Sequence, residues 1–177
     1  DSNKYELELF GEEKENGSIS YGALEKSNKG TLLIDQISEI PLDIQSKILR
    51  VLIDQKFKRV NGNNDVSVDV RLICSSSKDL KKEIQLGNFR EDLFHRINVF
   101  EINIEPLSQR ISDIPLLIKY FSKKISANYN IKELEIDENN SYILNHNWKG
   151  NVRELRNLIE RIAILQPESK DKISNII

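Results

Sequence analysis

Thr31-Leu32-Leu33-Ile34-Asp35 is a short apolar run closed by a carboxylate. That is the pattern of a buried parallel strand, with Asp35 at the edge where ligands sit in open α/β sheets. Downstream, Pro41 opens a helix predicted to run to about Gln55, with Ile44, Ile48, Leu49 and Leu52 as its apolar stripe. Lys56–Val60 and Asp65–Val70 bracket Asn61-Gly62-Asn63-Asn64, a hairpin signal. Val70–Cys74 reads as a second buried strand, Lys78–Leu86 as a short helix stopped by Gly87, and Val99–Ile104 as a third strand ended by Pro106. Beyond it only helices are expected: Asp113 to about Asn128, Asp137–Asn145 and Asn151–Gln166, the last with Asn151 as N-cap. Upstream, the first thirty residues are polar, with Gly11, Gly17, Gly22 and Gly30, and read as a short helix, a loop and a turn. The fold class is therefore α/β first, then a small all-α unit.

Composition narrows the function classes. The chain has 177 residues and a formal net charge of −2, so no global field draws it to nucleic acid or a membrane. No apolar run approaches the ~20 residues that span a bilayer. A single cysteine, Cys74, excludes an intramolecular disulfide framework. The expectation is a soluble, cytoplasmic protein with no membrane contact. The absence of any methionine adds the expectation of a fragment of a longer protein.

Few residues carry chemistry. Asp35 suits magnesium-nucleotide chemistry, although strands ending in Asp are common. The next residue is Gln36, an amide that orients water but cannot take its proton. Gly17–Gly22 has phosphate-loop spacing, but Ala23-Leu24 follow where Lys-Ser/Thr is required, so it reads as a plain loop. Arg90 and Arg96 lie six apart, on different faces of a helix, and fit either a subunit edge or surface pairs with Glu91 and Asp92. Ser75-Ser76-Ser77 follows the second strand at the ligand edge. Trp148 reads as a core anchor, and His95 and His146 as structural or exposed.

Six blocks fall in a recognisable order: Glu8–Lys14 (ELFGEEK), Lys29–Asp35 (KGTLLID), Pro41-Leu42 with Gln45–Leu52, Asp69–Ile73, Phe89–Leu93 with Arg96–Val99, and Asn147–Leu155 (NWKGNVREL). Over roughly residues 6–166 the chain resembles the AAA+ domain of sigma-54-dependent transcription activators, and among them the NtrX-like response regulators. The resemblance implies a P-loop-type parallel sheet, here lacking its first strand, over residues 1–105. It implies a helical lid over 106–168 and the start of a linker over 169–177. It implies ATP and magnesium as cofactors, with Asp35 as the Walker B aspartate, an indirect Mg ligand. Gln36 then stands at the catalytic glutamate position and Ser77 at the sensor I position. Arg90 and Arg96 are the arginine fingers acting across a ring of copies, and Arg153 is the sensor II arginine.

The departures matter equally. No Walker A segment is present, Gln36 replaces a Glu, and Ser77 replaces an Asn. Glu15–Tyr21 stands where the family has its sigma-54 contact loop, G-A-F-T-G-A. The expected function is a regulatory module, nucleotide-responsive at most, that assembles a DNA-binding response regulator without remodelling sigma-54 polymerase. DNA would be reached through a separate helix-turn-helix domain, and a sensor histidine kinase through a separate receiver domain. Two alternatives stay open: an active ATPase in the full-length protein, or a protein-interaction domain that binds no nucleotide. This chain alone is expected to turn over no ATP.

Overall fold

The computed structural model describes residues 2–132, 134–137 and 139–165; the linker expected at 169–177 and the last residues of the expected lid lie outside them. Two compact units divide the chain, one up to Glu101 and the other from Ile102. Each has its own apolar core.

In the first unit, β3 (Gly30–Ile34) and β6 (Val70–Cys74) form a two-stranded parallel pair. Parallel strands need a crossover, and here α3 (Leu42–Asp54) and a hairpin supply it. The register pairs Leu32 with Leu72 and Leu33 with Ile73. Because side chains alternate across a strand, Leu32, Ile34, Leu72 and Cys74 turn toward the core. Leu33 (62% exposed) and Ile73 (48%) turn away from it. α3 buries Ile44, Ile48 and Val51 against that core, and Leu93 from α5 (Glu91–Ile97) joins them. α4 (Leu80–Gln85) is capped by Asp79, whose carboxylate accepts from the Lys81 and Lys82 amides.

Three readings of the sequence change. Val99–Ile104 is not a strand: Val99, Phe100, Ile102 and Ile104 are 74–87% exposed, in a turn, a bend and irregular chain. A β-branched run becomes a strand only beside a partner, and the parallel pair stops at two strands. The helix expected from Asp137 is only α7 (Ser141–Leu144), because the Asn140 side chain caps it there, accepting from the Tyr142 and Ile143 amides. The polar beginning contains an unforeseen hairpin. After α1 (Ser2–Phe10), β1 (Gly11–Glu13) pairs antiparallel with β2 (Ile19–Tyr21), ahead of α2 (Ala23–Lys26). Gly11 makes this possible: its φ is +73°, and a Cβ there would lie 2.2 Å from the Ser20 carbonyl oxygen.

The expected second hairpin is present as β4 (Lys56–Lys58) and β5 (Asp65–Ser67). It is sewn to the first, since Glu13 N donates to Val60 O and Val60 N to Gly11 O, both at 3.0 Å.

The second unit is helical. α6 (Ile114–Tyr129) packs on α8 (Asn151–Leu165) around Ile118, Ile125, Leu155 and Ile159. Trp148 is 2% exposed, and its Nε1 donates to the Ile143 carbonyl at 2.9 Å. Among the described residues no helix is long and apolar enough to cross a membrane.

Candidate functional site

The two parallel strands leave the sheet together. Ser75 N donates to Ile34 O (3.0 Å) and Ile37 N to Ser75 O (2.9 Å), extending the pairing past both strand ends. This holds Asp35, exposed, at the C-terminal edge. The Ser75 hydroxyl donates to Asp35 Oδ1 and accepts from the Gln36 amide at 3.2 Å. Gln36 itself turns sharply, with φ +54°, in the left-handed region that non-glycine residues seldom occupy. Its side-chain Oε1 accepts from Ser77 N at 3.1 Å and from Ser77 Oγ at 2.8 Å. Asp35, Gln36 and Ser77 are thus brought together, with Ser75 as a fourth member. Sequence reasoning assigned Ser75 nothing individually; its signal was the serine run at the strand edge.

Arg90 and Arg96 join no hydrogen bond of that cluster. Arg90 precedes α5 and pairs with Asp92 through Nη2 (2.6 Å) and Nε (3.0 Å), both side chains more than 40% exposed. The guanidinium holds the Asp92 carboxyl below its usual value. Arg96, in the last turn of α5, donates Nη2 to the Leu52 carbonyl at 2.8 Å. A residue the sequence reading missed sets this loop. Gln45 on α3 is 0% exposed; its Nε2 donates to Ile40 O (2.8 Å) and Asn88 O (3.1 Å), and its Oε1 accepts from Arg90 N (2.9 Å). It occupies a buried helix position that a search for apolar periodicity passes over.

Arg153, in the helical unit, is exposed on the first turn of α8. With His146, Trp148, Glu154, Asn157 and Arg161 it lines a cavity of about 240 Å³. Asn151 does not cap α8 as expected. Its φ is +55° and its Oδ1 accepts from Leu107 N at 2.7 Å. Glu154 takes over, accepting from Gly150 N (2.7 Å) and meeting His146 Nε2 (3.1 Å).

The joined hairpins form a second edge. Arg59, its side chain 10% exposed, donates to Glu13 (2.8 Å) and to both oxygens of Glu25 (3.0 and 2.7 Å), and lies over the Tyr21 ring. These carboxylates push the guanidinium's pKa up, led by the hydrogen bond to Glu25. Glu15–Tyr21, the stretch standing where a contact loop was expected, is therefore a tied hairpin.

Comparison with known proteins now adds to this geometry. The Sigma-54 interaction domain profile matches residues 2–103, and the AAA+ ATPase lid domain profile matches residues 108–176. The chain belongs to the sigma-54 interaction domain family. Within that family it is 43% identical over 164 residues to the nitrogen assimilation regulatory protein NtrX of Azorhizobium caulinodans, covering 92% of this chain and 36% of that protein. It is 39% identical over 165 residues to the DNA-binding transcriptional regulator NtrC of Proteus hauseri, covering 90% of this chain and 35% of that one. A crystal structure of NtrX from Brucella abortus in complex with ADP superposes with a TM-score of 0.89 at 39% identity, over all of this chain and 41% of that one. The corresponding complex with ATP gives 0.88 at 39% identity, over all of this chain and 42% of that one. The chain spans about a third of the length of these sequence relatives. Its α/β part with a parallel strand pair and its helical lid are those of an AAA+ module.

Proposed function

We propose that this chain is the nucleotide-responsive AAA+ module of a two-component transcriptional regulator, and that it mediates assembly of that regulator without remodelling sigma-54 polymerase. The observation that carries this is the Gln36–Ser77 pair. The acidic ligand of the strand edge, Asp35, is kept, while the position that would take water's proton is an amide with its oxygen already engaged.

The edge fits ATP with magnesium. Mg²⁺ takes one or two carboxylates beside phosphate oxygens and water. Asp35 supplies one, and the Ser75 hydrogen bond to Oδ1 leaves further lone pairs on it. The ADP and ATP complexes of Brucella abortus NtrX support a nucleotide here. Bound ATP supplies a terminal phosphate that ADP lacks. On the protein side, Asp35 would hold the cation, and Arg153 is the residue at the family's sensor II position. Arg90 and Arg96 reach the nucleotide of a neighbouring copy, for which Arg90 exchanges its exposed Asp92 partner. No residue at position 36 accepts a proton. Loss of a general base alone costs about 10²–10⁴-fold in rate. The tied hairpin supports the second half of the reading. A polymerase contact needs a projecting apolar anchor, whereas Ile19 and Tyr21 are held in the short paired strand β2, Arg59 lies over the Tyr21 ring, and the flanking turn is Asn16-Gly17-Ser18.

The test uses the full-length protein. Equilibrium binding should find ATP bound, and transcription in vitro from a sigma-54 promoter with ATP should give no open complexes above background. Open-complex formation would overturn the reading in favour of an active ATPase. Failure to bind either ATP or ADP would overturn it in favour of a nucleotide-free interaction domain.

A further inference from the structure

Arg90 is tied to the rest of the first unit through its backbone. Its guanidinium pairs with Asp92 on the same segment, so that pair travels with the segment and anchors it to nothing. Its carbonyl accepts from Phe94 N inside α5. Among the described residues, the one hydrogen bond that joins Arg90 to another element is donated by its amide to Gln45 Oε1, at 2.9 Å. Gln45 stands on α3 and is fully buried. The orientation of its amide is fixed by its partners: the oxygen faces a backbone N–H, and the nitrogen faces two carbonyls, Ile40 O and Asn88 O. The contacts at Asn88 and Arg90 straddle Phe89, which is buried in the core, so the segment is gripped on both sides of its anchor. The contact at Ile40 reaches the residue that ends the turn Ile37–Glu39, directly after Asp35 and Gln36.

One glutamine thus satisfies three backbone groups from two separate segments, and it does so where placement counts. The Arg90 side chain is long and more than 40% exposed, so the reach of its charge is set by where its own backbone stands. About 1 Å of misplacement costs about 10²-fold at a reacting centre. α3 meets the second arginine as well: Arg96 Nη2 donates to Leu52 O at 2.8 Å, about two turns and so about 10 Å farther along the same helix. A single rigid element sets both arginines, and sets them relative to the turn that leaves the Asp35 edge. We infer that Gln45 is a positioning residue for Arg90: it fixes the arginine segment to the strand-edge turn, so that Arg90 is presented to a neighbouring copy at a set place relative to this copy's own nucleotide edge. The inference rests on the reading of Arg90 given above and adds what places that arginine. Fully buried, Gln45 touches nothing outside the chain and acts through Arg90.

The experiment follows two quantities in the full-length protein: ATP affinity per copy, by equilibrium titration at high dilution, and ATP-dependent self-association, by sedimentation. Gln45→Met and Gln45→Glu are each made in the wild-type and in the Arg90→Ala background. Methionine keeps the side chain's length and removes all three hydrogen bonds. Glutamate is the milder change: burial favours its neutral carboxyl, which still accepts from Arg90 N and donates to one of the two carbonyls. In Arg90→Ala and in Gln45→Met, self-association should weaken by about tenfold or more, the worth of one hydrogen bond to a charged group, with ATP affinity per copy unchanged. In Gln45→Glu it should weaken by less. Both Gln45 effects should vanish in the Arg90→Ala background, because residues that act through one another do not add. A merely structural role would weaken association equally in either background. Wild-type association in either folded Gln45 variant, or an effect that persists beside Arg90→Ala, overturns the inference and spares the broader reading. An Arg90→Ala protein that associates as the wild type does overturns the reading of Arg90, and this inference with it.

Discussion

Glu154 does the work that sequence reasoning gave to Asn151. The Gly150 amide, and after it His146, hold its carboxyl below the usual value near 4.5. A carboxyl whose folded pKa is lowered adds stability that is fully present above its unfolded value and is lost as pH falls through the folded one. The helical unit should therefore keep this contribution at neutral pH and lose it below about pH 4.5. Glu154→Gln should lower the melting temperature at pH 7 and flatten its fall between pH 5 and 3, read by circular dichroism. Equal acid slopes in the two proteins would contradict this role. The same exchange of duties occurs at the other edge. Ser77 was legible as a strand-edge residue, but its bond to Gln36 was not, because a side chain's partner 41 residues away leaves no local signal. Cys74 ends the strand expected at Val70–Cys74 and is half-buried rather than fully buried, with burial pushing its thiol up to about 11.

At the scale of elements, the two joined hairpins depend on Arg59. Removing one partner of a largely buried ion network leaves the others uncompensated, at a cost of about 3–5 kcal/mol when burial is complete. With Glu13 and Glu25 partly exposed, Arg59→Ala should cost about 2 kcal/mol. It should also speed hydrogen exchange at the Glu13 and Val60 amides, which bridge the hairpins. Slow exchange at both amides in the variant would show that the backbone bridge stands without the arginine. Gln45 presents a similar case inside the first core. Gln45→Leu strands the Ile40 and Asn88 carbonyls and the Arg90 amide. At about 1 kcal/mol for each orphaned group, it should lower stability by about 3 kcal/mol in urea unfolding. A change under about 1 kcal/mol would mean that water replaces those bonds freely. Elements whose evidence is local were readable. β3 with its terminal Asp35, the amphipathic α3 and the Asn-Gly turn all carry their signal in adjacent residues. Val99–Ile104 misled because β-branched composition states only that a segment suits a sheet, and pairing depends on a neighbour composition cannot reveal. β1 and β2 escaped notice for the converse reason: three-residue strands without alternation acquire their order from Arg59 and Val60, far along the chain.

For the molecule as a whole, two cores mean two sources of stability. One gathers around Ile37, Ile44 and Leu93, the other around Ile118, Trp148 and Leu155. Trp148 is the sole tryptophan of the chain, and it is buried in the second core with its indole N–H committed to Ile143. Its fluorescence therefore reports the helical unit and is silent on the first. Far-ultraviolet circular dichroism sums helices from both units. Coincidence of probes is the mark of one cooperative transition, and separate cores give no reason for it. The first unit also exposes Leu33 and Ile73 on the outer face of a two-stranded sheet, with Val99 and Phe100 at its end. A parallel sheet is normally covered on both faces, so this unit should be the weaker. On raising urea, this chain alone should lose ellipticity before its tryptophan emission shifts, and it should bind a hydrophobic dye in the interval between. A single midpoint shared by both probes, with no dye binding, would mean that the two units unfold as one body.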